Sequence, residues 1–123
     1  MRKRREVNRI VLQKMLEYCN DIDDFMSHFN ASYEVYLSDK IFRSSVDMYV
    51  LQIGELTTRL TDDFKAQHSE IPWRKIKGLR NVYVHDYENV DFEQAWLTLT
   101  KDIPELKMWL EQVLAAEGEA NGN

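Results

Sequence analysis

The sequence predicts an all-α protein, a small antiparallel helix bundle, and three observations carry that reading. Apolar residues recur at steps of three and four along most of the chain, the segments so marked begin and end at residues that start or stop helices, and no stretch alternates apolar and polar residues as a half-buried strand would. A chain of 123 residues with 44% hydrophobic residues is long enough to build one core. The expected organisation is a single domain over residues 1–116 followed by a frayed tail over 117–123, where "EGEANGN" offers little apolar surface to bury.

Each helix follows from its own spacing. Val11, Met15, Tyr18, Ile22, Phe25 and Phe29 line one face from about residue 6 to 29. "NASYEVYLSD" reads as a short irregular region around residues 30–38, at whose end Ser38 or Asp39 can cap the next helix. Phe42, Val46, Tyr49, Ile53, Leu56 and Leu60 then repeat the period to about residue 64. The middle of this second helix, "VDMYVLQIGEL", also carries Met48, Val50 and Leu51 off that face. It therefore needs more than one neighbour, by lying at the centre of the bundle or by forming a dimer interface. Pro72 opens a third helix with Ile76, Leu79 and Tyr83 inward, running to about residue 85. Asp91 caps a fourth, in which Phe92, Trp96 and Leu99, then Leu106, Trp109 or Leu110, and Val113 keep a helical period across Pro104, which should kink or divide it. Trp73, Trp96 and Trp109 sit at helical spacing among apolar neighbours and read as core residues.

Charge and composition exclude several functions. A net charge of −5 argues against a protein that coats nucleic acid through overall charge. The average conceals two basic clusters of net +4 each, one over residues 2–9 and one formed by Arg74, Lys75, Lys77 and Arg80, so the rest of the chain carries −13. The first reads as a solvated charged face; the second differs because it leads into "LRNVYVHDYE". Cys19 is the only cysteine, which excludes an intrachain disulfide and a cysteine-based zinc site. His28 and His68 lack metal-ligand spacing with His85, and Asp86 and Asp91 form no carboxylate cluster, so neither metal nor cofactor is expected. His28, between apolar neighbours near a helix end, reads as structural. "MRKRREVNRI" has basic residues without an apolar run behind them, and no segment reaches membrane-spanning length; the expected location is the cytoplasm.

The chemistry-bearing residues fall at the end of the third helix. At about 100° per residue, Asn81 and His85 share a face, while Arg80 and Tyr87 are only ~20° out of line if the helix continues. Arg80 and His85 differ by about 140° on a regular helix. They meet only through the long arginine stem, through unwinding near His85, or across a symmetric partner. Asn81 can hydrogen-bond one imidazole nitrogen and fix its tautomer. This set suits cleavage of an RNA phosphodiester without metal, because histidine moves protons near neutral pH and arginine offers a permanent cationic fork to phosphate oxygens. A histidine and an arginine at a helix end also commonly do no more than cap carbonyls and balance the helix dipole. Tyr83 and Tyr87 can stack on a base or, four apart, on each other.

"RNVYVHDY" has the arginine, four residues, histidine, one residue, tyrosine pattern of HEPN ribonucleases. With "QIGE" at 52–55, "IPW" at 71–73, "IKGLRN" at 76–81, Trp96 and "DIPEL" at 102–106, the chain resembles the HepT-like branch of that superfamily over about residues 7–114. The resemblance implies an all-α homodimer whose motif helices face one another across a cleft, acting as the toxin of a prokaryotic toxin–antitoxin pair. Carried onto this sequence, Arg80 and His85 are catalytic, Asn81 supports them, Tyr87 completes the motif, and Glu55 of "QIGE" pairs with Arg80, lines the cleft or is simply an exposed helical glutamate. The partners implied are RNA and a small nucleotidyltransferase-fold (MNT-type) antitoxin, some of which transfer AMP to the motif tyrosine. The alternative is a non-catalytic helical module that binds such a nucleotidyltransferase.

Overall fold

The computed structural model describes the backbone of residues 2–85 and 91–121, with side chains over residues 6–79 and 91–116. Every regular element among the described residues is helical. Helix α1 (Arg2–His28) buries Val11, Leu12, Met15, Cys19 and Ile22 along one stripe. It ends as its sequence allows: Asn30 takes a left-handed φ of 48°, and the Ala31 N–H donates to the Met26 carbonyl at 2.9 Å, which satisfies a carbonyl the last turn leaves open.

The stretch expected to be irregular contains a helix. Tyr33–Ser38 forms α2, started by Ser32, whose hydroxyl accepts from the Val35 N–H at 3.1 Å. Six residues are too short for periodicity to reveal. What fixes them is tertiary: Tyr36 is fully buried and its hydroxyl donates to Asp47 Oδ1 at 2.7 Å, while Arg43 Nη1 donates to the Tyr36 and Leu37 carbonyls at 3.0 and 2.8 Å.

Of the two cap candidates, Asp39 caps α3 (Lys40–Thr57), accepting from the Phe42 N–H at 3.0 Å, and Ser38 turns back to the Glu34 carbonyl. The helix stops at Thr57 rather than near residue 64. Thr57 and Thr58 bond the Ile53 and Glu55 carbonyls through their hydroxyls, competing with the helical ladder. Asn8 of α1 accepts from the Thr61 N–H at 3.0 Å and donates to its hydroxyl at 3.0 Å, which holds the chain out of helix there. Thr61 then caps α4 (Asp62–Gln67), whose Phe64 reaches the core beside Trp73.

α5 (Trp73–His85) begins one residue after Pro72, whose carbonyl accepts from the Ile76 N–H. α6 (Phe92–Leu97) is capped by Asp91, which accepts from the Gln94 N–H at 3.2 Å. Pro104 divides the final segment in an identifiable way. Lacking an N–H, it cannot serve the carbonyl four residues back, and the chain widens into a π-helical turn over Thr98–Asp102, with the Ile103 N–H on the Thr98 carbonyl, before α7 (Ile103–Asn121) resumes. α7 carries helical backbone past the expected domain boundary at residue 116.

α3 is the central element, packed against α1 on one flank and α5 on the other, which answers why its middle is apolar on several sides. Phe42, Val46, Val50 and Ile53 are fully buried, and Ile103, Leu106 and Leu110 of α7 close the core from the far side of α1, where Lys107 Nζ meets Asp23 at 2.6 Å. No described helix is long and apolar enough to cross a membrane.

Candidate functional site

α5 carries most of the candidate residues. Its buried positions, Trp73 and Ile76, anchor the N-terminal half; the Trp73 indole N–H donates to the His68 carbonyl at 3.0 Å, and its ring lies 5.9 Å from Phe64. The helix continues without a break to His85, so Arg80, Asn81 and His85 all stand on regular helical backbone. Asn81 and His85 are therefore one turn apart on one face. Arg80 and His85 are separated by about 140° around the axis and by about 7.5 Å along it. Of the three ways in which they were expected to meet, unwinding near His85 does not begin up to that residue, where the backbone is still helical. Tyr87 lies outside the described residues, as does the rest of 86–90, and with it the expected alignment of Tyr87 with Arg80.

The basic flank is only partly available to an anion. Arg74, Lys75 and Lys77 are all exposed, but Lys75 Nζ sits 3.2 Å from Asp102 Oδ1, tying α5 to the π-helical turn. Asp102 was not distinguishable in sequence from other surface carboxylates; the one hint was its place beside Pro104, where the chain must leave regular helix. Arg74 and Lys77 make no ion pair with another described residue. Gly78, between this flank and Arg80, escaped the sequence reading although a glycine inside a helix is a visible anomaly: a Cβ there would meet nothing within 4 Å among the described residues.

Glu55 is exposed on α3, the helix against which α5 packs. The seam between α5 and α7, lined by Ile76, Leu79, Leu106 and Trp109 among others, leaves only about 30 Å³, room for about a single water, so a substrate on this side lies on the surface. The tryptophans are structural: Trp73 is buried, and Trp96 packs against Tyr33 and Tyr36 at 6.3 and 5.6 Å. His28 is exposed, edge-on to Phe29 at 5.2 Å, and His68 packs on Phe64 at 4.6 Å. Neither belongs to α5.

The described residues form an all-α bundle, and comparison with known proteins gives its class. The family described as Ribonuclease HepT-like matches residues 15–113, and the chain belongs to the HepT-like ribonuclease family. A protein of Methanocaldococcus jannaschii provisionally named an RNase is 29% identical over 102 residues, covering 83% of this chain and 92% of its own length. One from Caldanaerobacter subterraneus subsp. tengcongensis, also provisionally named an RNase, is 28% identical over 109 residues, 89% of this chain and 96% of its own. A protein of Thermococcus cleftensis named "Probable ribonuclease HepT" is 33% identical over 102 residues, 83% of this chain and 91% of its own. No solved structure matches the chain significantly.

Proposed function

We propose that this chain is a metal-independent endoribonuclease, the cytoplasmic toxin of a prokaryotic toxin–antitoxin pair, and that it works as a two-fold homodimer. The observation that carries the reading is the unbroken helix through His85. One chain presents Arg80 and His85 on different sides of α5, and one imidazole cannot attend both the attacking and the leaving oxygen, which lie on opposite sides of phosphorus. A second copy supplies the missing groups.

In the reaction, one His85 takes the proton of the 2′-hydroxyl as that oxygen attacks phosphorus. The His85 of the other copy gives a proton to the departing 5′-oxygen as its bond to phosphorus breaks, leaving a 2′,3′-cyclic phosphate and a 5′-hydroxyl. Arg80 stabilises the charge gathered on the phosphorane oxygens, Asn81 holds the imidazole tautomer, and Arg74 and Lys77, with Lys75 where its tie to Asp102 yields, position the RNA backbone. Glu55 orients Arg80 from α3. The partner is an MNT-type nucleotidyltransferase antitoxin that adenylylates Tyr87, bringing a phosphate to Arg80 and filling the space meant for RNA.

The test is cleavage of RNA by the purified chain in EDTA, with the 3′ ends analysed. We expect cyclic phosphate termini, and loss of at least about 100-fold in rate for Arg80→Ala and His85→Ala with helical circular dichroism unchanged. A strict requirement for Mg²⁺ would sink the mechanism. Expression without the partner separates the toxin from a mere docking module: arrest that His85→Ala abolishes belongs to the enzyme.

A further inference from the structure

The unbroken backbone of α5 sorts its residues by side. At about 100° per residue, Arg74, Gly78, Asn81 and His85 fall within about 60° of one another and form a strip about 16 Å long down the helix. The buried Trp73 and Ile76 lie on the opposite side. Lys77 flanks the strip along one edge and Lys75 along the other, which is the edge that borders the seam with α7.

The two edges differ in charge. Arg74 and Lys77 are exposed and make no ion pair with another described residue. Lys75 Nζ donates to Asp102 Oδ1 at 3.2 Å, and Glu105 lines the same seam. One cation therefore stands against two carboxylates on the α7 side. Asp102 is also held more firmly than the lysine it binds: its side chain is 16% exposed and that of Lys75 59%. It ends the π-helical turn, and Ile103, the next residue, is buried and donates its N–H to the Thr98 carbonyl. The backbone thus fixes the carboxylate, and the flexible lysine stem is the part that would have to move. A phosphate reaching Lys75 would come within a few ångströms of Asp102 and meet repulsion nearly as large as its attraction to the ammonium. The strip itself is low at its middle. No described residue lies within 4 Å of where a Cβ of Gly78 would stand, and a helix face without a side chain lets the backbone of a ligand approach closely.

We propose that Asp102 is a positioning residue for the RNA strand. By holding Lys75 it keeps the strand off the α7 side of α5 and confines it to the strip that runs from Arg74 over Gly78 to Asn81 and His85. This rests on the RNA-cleaving reading given above and adds the path of the substrate to it. Where the tie yields, Lys75 draws the strand sideways, away from His85, so that binding tightens without becoming more productive.

The experiment uses the full chain and Asp102→Asn, which keeps the shape of the side chain and removes its charge. Affinity is read by fluorescence anisotropy over a range of salt concentrations, with a labelled 2′-O-methyl oligonucleotide of about eight nucleotides, which lacks the attacking hydroxyl. Asp102→Asn should bind roughly threefold to tenfold more tightly, with a salt slope steeper by about 0.7, the amount expected for one further phosphate of a single strand. Lys75→Ala added to Asp102→Asn should remove both gains, and Lys75→Ala alone should weaken binding less than Lys77→Ala does. With cleavable RNA, the tighter but misplaced binding of Asp102→Asn should lower KM and kcat together. The inference is overturned, and the RNA reading left intact, by an affinity and slope unaltered in Asp102→Asn, by a gain that survives the loss of Lys75, or by a kcat/KM that rises once Lys75 is freed. If Asp102→Asn loses helical circular dichroism, the comparison of Lys75→Ala with Lys77→Ala decides, and an equal or greater loss at Lys75 overturns the inference. A chain that fails to bind the oligonucleotide, with or without the substitution, sinks the RNA reading and this inference with it.

Discussion

Cys19 sits between Met15 and Ile22 on the buried stripe of α1, and burial, with the Asp23 carboxylate next in weight, pushes its thiol up to about 12 from 9.0. A thiol so placed is a packing residue, not a nucleophile. Its linkage to stability has a definite sign. Below pH 9 the thiol is protonated in both folded and unfolded chains; between 9 and about 12 only the unfolded chain loses the proton, so the fold weakens as pH rises through that window. Chemical denaturation of the wild type and of Cys19→Ala should therefore converge as pH increases above 9, the wild type losing up to about 1.4 kcal/mol more per pH unit. Parallel pH profiles would show that the native thiol ionises as freely as the unfolded one. Lys107 belongs to the same cluster: its hydrogen bond to Asp23 raises its pKa, so that contribution is present below about 10.5 and is lost at higher pH as well. The Ala substitution leaves the Lys107–Asp23 hydrogen bond in place, so that bond contributes to both proteins.

At the scale of elements, α5 holds an unexplained weakness. Glycine in a helix interior costs roughly 0.5–1 kcal/mol relative to alanine, yet no described residue prevents a methyl group at Gly78. Gly78→Ala should raise unfolding free energy by about that amount, measured by denaturant titration. If cleavage falls in the stabilised variant, the missing methyl is kept clear for RNA or a second copy at the position two residues before Arg80; unchanged cleavage would make the glycine incidental. Other elements show what sequence makes legible. Asp39 and Asp91 were readable as caps because a carboxylate just before an apolar helical period has a local meaning. Pro104 was readable as a division of the last helix for the same reason, although the π-helical form of that division was not. α2 and the early end of α3 were illegible, because Tyr36–Asp47 and Asn8–Thr61 decide them from outside the segment.

For the whole molecule, the proposed silencing joins two proteins at one hydroxyl. Co-expression with the cognate nucleotidyltransferase should raise the intact mass of this chain by a nucleotide and abolish cleavage, and Tyr87→Phe should remain unmodified, active and toxic in the partner's presence. An inhibited chain of unaltered mass would assign neutralisation to binding alone; a Tyr87→Phe chain inactive by itself would assign the tyrosine to cleavage. The charge distribution fits such control. On the proposed reading the acidic chain would repel RNA except at the small basic patch, and one of the patch's cations, Lys75, is already tied to Asp102, so a single added phosphate would alter a large part of the local balance.

The sequence by itself determined the fold class, the four main helical periods and two caps, because each of these is written in residues within a turn or two of one another. The tertiary structure alone decided where α3 stops, that α2 exists, that α3 lies between α1 and α5, that Lys75 is tied down, and that Ile41 is left exposed. Those outcomes depend on pairs such as Asn8 with Thr61 and Lys107 with Asp23, 53 and 84 residues apart. Helical periodicity states which face of a segment is apolar; only the packed chain decides which apolar face finds a neighbour and which is left for another molecule.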